Sequence, residues 1–150
     1  ILGEILKTGA KVIKEGAVIL TPIILALGTT GLSKTKEEYK KAKDLLKCAT
    51  VLQYTLPGFP SIYYGDEAGL TGGSDPFNRA FYPWGNEDKS LINWYKKLGE
   101  LRHSLPCLKT GRFIPFSAML SCVAYIRESE EQKIFVIANK NNHEISYNLP

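Results

Sequence analysis

Histidine, methionine and cysteine are scarce in this chain: two, one and three residues. Cys48, Cys107 and Cys122 stand far apart, with no Cys-x-x-Cys pair and no histidine at ligand spacing. That excludes a readable disulfide framework and a zinc motif, and no metal or other cofactor is expected. An odd count without a framework fits buried thiols in a reducing cytoplasm, the expected location. His103 follows Arg102 at the end of a predicted helix, where a cation suits the helix dipole. It and His143 are read as structural.

A long apolar run is also missing. The longest, Ala17 to Leu27, has 11 residues and contains Pro22, against about 20 needed to span a bilayer. Lys7, Lys11 and Lys14 precede it as in a signal peptide, but no small-residue cleavage site is clear near Leu27. A buried strand and helix start is the preferred reading, with no membrane partner. Charge of one sign is not in large excess either: the net value is +4. Lysines alternate with glutamates, as at Lys36-Glu37-Glu38-Tyr39-Lys40-Lys41, which reads as a solvated helix face. Without arginine and aromatic interleaving, no nucleic-acid partner is expected.

What is present is enough for a core. The chain has 150 residues, 44% hydrophobic and 23% charged, the proportions of an ordinary globular protein. It does not begin with methionine, which points to a piece of a longer chain.

Hydrophobic periodicity divides the sequence in two. Leu2, Ile5, Leu6 and Ile13 share a face, predicting a helix over 2–15 that Gly16 ends. Ala17 to Leu20 reads as a buried strand and 28–31 as a loop. Ser33 is a good N-cap for a helix from about Lys34 to Leu56, with Tyr39, Ala42, Leu45, Leu46, Ala49 and Leu52 at helical spacing. Pro57-Gly58 stops it. Ser61 to Tyr64 reads as a short strand, completing the αβ half of a parallel unit. Residues 66–87 form a loop too long for a mere connection, so a functional loop is expected.

A second helix begins at Asp88-Lys89-Ser90, with Leu91, Trp94, Tyr95, Leu98 and Leu101 as its buried stripe, and ends near His103. The period then changes to two. Phe113 to Phe116, Ser121 to Arg127 and Lys133 to Asn139 read as antiparallel strands, with turns at 128–131 and 139–143. A further strand begins at Glu144. The expected fold is α/β followed by all-β, with a domain boundary near 108–111: residues 1–110, then 111–150.

The richest stretch lies between the helices. It reads Leu-Pro-Gly-Phe-Pro-Ser-Ile-Tyr-Tyr-Gly-Asp-Glu-Ala-Gly-Leu (56–70), Gly-Gly-Ser-Asp-Pro-Phe-Asn-Arg (72–79) and Pro-Trp (83–84). In this order and spacing the motifs resemble the C-terminal end of the catalytic barrel in the α-amylase superfamily of glycoside hydrolases. The match is nearest to the neopullulanase, cyclomaltodextrinase and maltogenic amylase branch. It covers roughly 34–150 and is strongest over 46–84. The resemblance implies the last units of a (β/α)8 barrel, with 34–56 and 89–104 as its seventh and eighth helices. A small antiparallel β-sandwich would start at Gly111.

That family cleaves α-glucosidic bonds with retention. One carboxylate attacks the anomeric carbon and a second protonates the leaving oxygen, facing the sugar from both sides. The resemblance places the nucleophile in a Gly-x-Arg-x-Asp pattern, the acid after the next strand, and a third Asp in a His-Asp pair. No Gly-x-Arg-x-Asp occurs in this chain. Before Thr21-Pro22 stand Ile19-Leu20 rather than His-Asp, and Ile23 replaces the arginine. Residues 1–20 do not resemble the family. No catalytic residue is therefore expected here, and the chain is expected to be truncated and inactive as a glycosidase. A closed barrel takes about 250 residues, so only one or two units fit before Gly111. Uncovered parallel edges would then pair with a second copy or with a complementary N-terminal barrel fragment.

Within the loop, Asp66 and Glu67 are adjacent and on a strand would point to opposite faces. They cannot form a catalytic pair, and one is expected to bond the loop backbone. Asp75 and Arg79 are the candidate substrate-binding residues: an Asp-Pro-x-x-Arg turn can bring a carboxylate and a guanidinium together to meet sugar hydroxyls. In this isolated chain, however, an internal salt bridge that shapes the loop is the first reading of the pair. Tyr63, Tyr64, Phe77, Phe81, Tyr82 and Trp84 could stack on sugar rings if a face is exposed, but are first read as core. The implied ligand is an α-glucan oligosaccharide. The alternative is a non-catalytic self-association module built on the open barrel edge.

Overall fold

Alternating runs of helix-forming and β-branched residues set the elements. The computed structural model describes residues 12–13, 17–20, 36–71, 79–119 and 122–139. Strands β1 (Val12–Ile13) and β2 (Ala17–Leu20) pair antiparallel. Helix α1 (Lys36–Thr55) and helix α2 (Lys89–Ser104) follow, joined by the loop. Helix α3 (Cys107–Thr110) then leads into β3 (Arg112–Met119), β4 (Cys122–Glu128) and β5 (Lys133–Asn139).

The strands form one sheet in the order β1-β2-β5-β4-β3, with β2 parallel to β5 and β5-β4-β3 antiparallel. Tyr125 stands opposite Val136, and Ile126 opposite Phe135. A register shift lies between Pro115 and Ser117. Proline has no amide to donate, so a bulge on this edge strand is where it is tolerated.

Both helices bury the stripe that the sequence marks. Cys48, Val51 and Tyr54 of α1 meet Trp94, Tyr95 and Leu98 of α2, and both pack on Tyr125, Ile134, Val136 and Ala138 of the sheet. Cys107 and Leu108 of α3 belong to the same cluster. One core therefore runs across residues 108–111. All three cysteines are buried and outside any disulfide. Leu101 is only partly buried at the margin of that core.

Two expectations differ from the structure. Ser61 to Tyr64 is not a strand. A strand exists only through a neighbour's ladder, and among the described residues none lies beside it; Ile62, Tyr63 and Tyr64 are exposed instead. Likewise Val12–Ile13 is strand rather than helix, as suits β-branched residues that find a partner. The remainder of the helix expected over 2–15, the Ser33 cap and the strand from Glu144 lie outside the described residues. Among the described residues no helix is long and apolar enough to cross a membrane.

Candidate functional site

The loop from Pro57 to Glu87 leaves α1 and returns to the start of α2. Its first fixed piece is a single 3-10 turn, Asp66–Ala68, with left-handed Gly65 (φ +92°) before it and Gly69 (φ +75°) after it. Glycine suits both places because a side chain is strained at such φ. The Gly65 amide donates to the Glu67 carboxylate at 2.9 Å, and the Leu70 amide returns to the Gly65 carbonyl at 2.9 Å. Glu67 thus takes the backbone-bonding role expected of one of the two adjacent acids. The acids sit on this turn and not on a strand. Burial, and then the charge of Glu67, push the half-buried Asp66 carboxyl up.

The loop's two ends are tied to the helices. Asp88 closes the far end: its amide donates to the Ala68 carbonyl at 2.8 Å, and its carboxylate accepts from the Ser90 and Leu91 amides. Lys43 and Tyr39 of α1 reach the same carboxylate at 2.6 and 2.9 Å. At the near end, Arg102 of α2 donates to the carbonyls of Tyr54 and Gly58 at 2.6 and 2.5 Å and to that of Leu56 at 3.4 Å. Gln53 donates to the Ser61 carbonyl.

Between these anchors the rings face outward. Phe59 is fully exposed, Phe81 97% and Trp84 80%. Tyr63 and Tyr64 lie 5.0 Å apart between ring centres, and Tyr82 and Trp84 4.5 Å. Reading these aromatics as core is therefore corrected for Tyr63, Tyr64, Phe81 and Trp84, which no described element covers. Phe77 lies outside the described residues.

Arg79 is exposed on the returning arm. The Tyr64 hydroxyl bridges the two arms by donating to the neighbouring Ala80 carbonyl at 3.1 Å. Asp75 lies outside the described residues, so the Asp75–Arg79 pairing is not among the contacts. Among the described residues no group of three His, Cys, Asp or Glu stands close enough to hold a metal ion. His103 is exposed at the end of α2, with Lys109 3.5 Å from its Nδ1.

Arg102 and Phe59 were not singled out by the sequence. An arginine in the last turn of a helix is an ordinary dipole partner. That it clamps a turn 44 residues earlier is a property of how α1 and α2 lie together.

An amylopullulanase from Thermoanaerobacter thermohydrosulfuricus is 54% identical over 74 residues, covering 47% of this chain and 5% of that protein. A maltogenic alpha-amylase from Bacillus acidopullulyticus is 37% identical over 112 residues, 71% of this chain and 19% of that protein. Among solved structures, a debranching enzyme from Nostoc punctiforme superposes with a TM-score of 0.56 at 33% identity, over 63% of this chain and 19% of that one. The chain thus spans at most about a fifth of these relatives. No family model matches it. With its 56–84 motifs, its helix–loop–helix order and these relatives, the chain belongs to the α-amylase family of glycoside hydrolases.

Proposed function

We propose that this chain is the substrate-facing end of an α-glucan-acting glycoside hydrolase. It would comprise the last units of a (β/α)8 barrel and the start of a C-terminal β-sandwich. The parent reaction is retaining hydrolysis of α-glucosidic bonds in starch-like oligosaccharides or cyclomaltodextrins. This stretch supplies binding and not bond cleavage, because its sequence holds neither the nucleophile motif nor the His-Asp pair.

The observation that carries the reading is the exposure of three rings, Phe59, Phe81 and Trp84, on a loop that is anchored at both ends and also carries the exposed Arg79. Exposed aromatic faces beside polar groups are what a ligand groove presents. Asp75 and Arg79 would meet hydroxyls while rings cover the apolar sugar faces. Buried cysteines outside any disulfide suit a reducing compartment, and the cytoplasm is the proposed location.

Titration with maltotriose, followed by tryptophan fluorescence, tests this. Trp84 is the exposed reporter. A saturable change lost in Arg79→Ala is the expected result. No change at about 10 mM sugar, a concentration that would reveal even millimolar affinity, would overturn the reading.

The same exposed rings also favour a second reading, a self-association surface or a seat for a complementary N-terminal barrel fragment. A mass that rises with concentration in sedimentation, without sugar binding, would select it.

A further inference from the structure

The geometry points to Arg102 as the residue that positions the aromatic arm, residues 58–64, for its ligand. An α-helix ends with carbonyls that have no partner within the helix. Here the Tyr54 and Leu56 carbonyls at the end of α1 both accept from Arg102, and the same guanidinium also holds Gly58, whose φ is +104°. Its planar fork can serve several acceptors at once, which a lysine ammonium on a flexible stem does not reproduce. The arm beyond Gly58 has no strand ladder. Its course is set by Arg102, by Gln53 on the Ser61 carbonyl, and by Tyr64 on the Ala80 carbonyl.

That last bond matters for function. It ties the arm to the segment carrying Arg79. Arg102 itself points at backbone and touches no ring of the arm in any described contact, so it acts through the loop. Its effect on sugar rests on the proposed function; its effect on the arm does not.

The test uses the full chain as Arg102→Met and Arg102→Lys. Chymotryptic cleavage after Tyr63 and Tyr64 is compared by mass spectrometry with cleavage after Phe135, which is buried in β5. Maltotriose affinity is measured in parallel. In Arg102→Met, cleavage in the arm should rise about tenfold, the factor one charge-assisted hydrogen bond carries. Cleavage after Phe135 should stay constant and sugar affinity fall comparably. Arg102→Lys should lie between. An unchanged arm, or an equal rise at Phe135, would reduce Arg102 to a general stabiliser and overturn the inference. If the wild-type chain binds no maltotriose, the sugar-site reading falls. The ratio of cleavage at the two places then decides Arg102 alone: a selective rise sustains it, and an equal one removes it.

Discussion

Asp88 and Lys43 meet at 2.6 Å while the other oxygen of Asp88 caps the first turn of α2. One residue therefore starts a helix and docks it on its neighbour through its carboxylate, and closes the loop between them through its amide. Burial works against its charge. Hydrogen bonds from Lys43, Ser90, Tyr39 and the Leu91 amide prevail and hold its carboxyl well below the usual range.

A group whose folded pKa is depressed contributes stability above its unfolded pKa. That contribution should be present in full above about pH 4 and fade as the pH falls toward the folded value. Removing the cap should cost about 1–2 kcal/mol. Urea unfolding of Asp88→Ala, followed by the buried Trp94, should show that loss at pH 7. It should also show a flatter acid limb than wild type. An equally steep acid limb in the variant would place the titrating group elsewhere.

Arg127 joins the helices to the sheet. It is 1% exposed and donates to the Thr55 carbonyl at 2.7 Å and the Gly111 carbonyl at 2.8 Å. Beside it the Tyr125 hydroxyl lies 2.7 Å from that of Thr55. Burial pushes this phenol up to about 12, against the Thr55 bond and the Arg127 charge. Arg127→Met would leave two carbonyls without these donors, at a cost of about 3 kcal/mol. Because one core serves both layers, Trp94 fluorescence and far-ultraviolet dichroism should unfold together in the wild type. Separate transitions would mean that the sheet and helices are independent.

Two glycine-to-alanine changes should have opposite signs. Gly69 has φ +75°, and a Cβ there would meet the Tyr39 hydroxyl at 2.7 Å, so Gly69→Ala should destabilise by about 1–3 kcal/mol. Gly99 lies inside α2 with nothing within 4 Å of a Cβ, so Gly99→Ala should stabilise by about 0.5–1 kcal/mol. Thermal melts of the two variants compare them directly.

Phe81 offers ring without burial. Phe81→Ser should alter stability by no more than about 0.5 kcal/mol while weakening maltotriose binding. Calorimetric melting and the fluorescence titration separate these effects. A large drop in melting temperature would mean that the ring packs in solution.

Much of the scaffold was legible beforehand because its signals are local. Leu91, Trp94, Tyr95 and Leu98 recur at helical spacing and are the residues α2 buries. The change to period two after Gly111 became three antiparallel strands. That one of the adjacent acids Asp66 and Glu67 bonds the loop backbone was legible, but that it is Glu67 came only from the folded loop. The strand at Ser61 to Tyr64 failed for the opposite reason. Its composition is that of a strand, but a strand is completed by a partner that no local pattern supplies.

The same division separates what each level determined. The sequence alone determined the two long helices, the β-rich tail, the buried thiols and the family, since periodicity, turn residues and motif spacing are properties of neighbouring residues. Only the tertiary structure decided that Asp88 would bind Lys43, that Arg102 would hold Gly58, and that the loop's rings would face outward. Those contacts join residues more than 40 positions apart, and exposure depends on everything that packs nearby. Neither is written in any one segment of the chain.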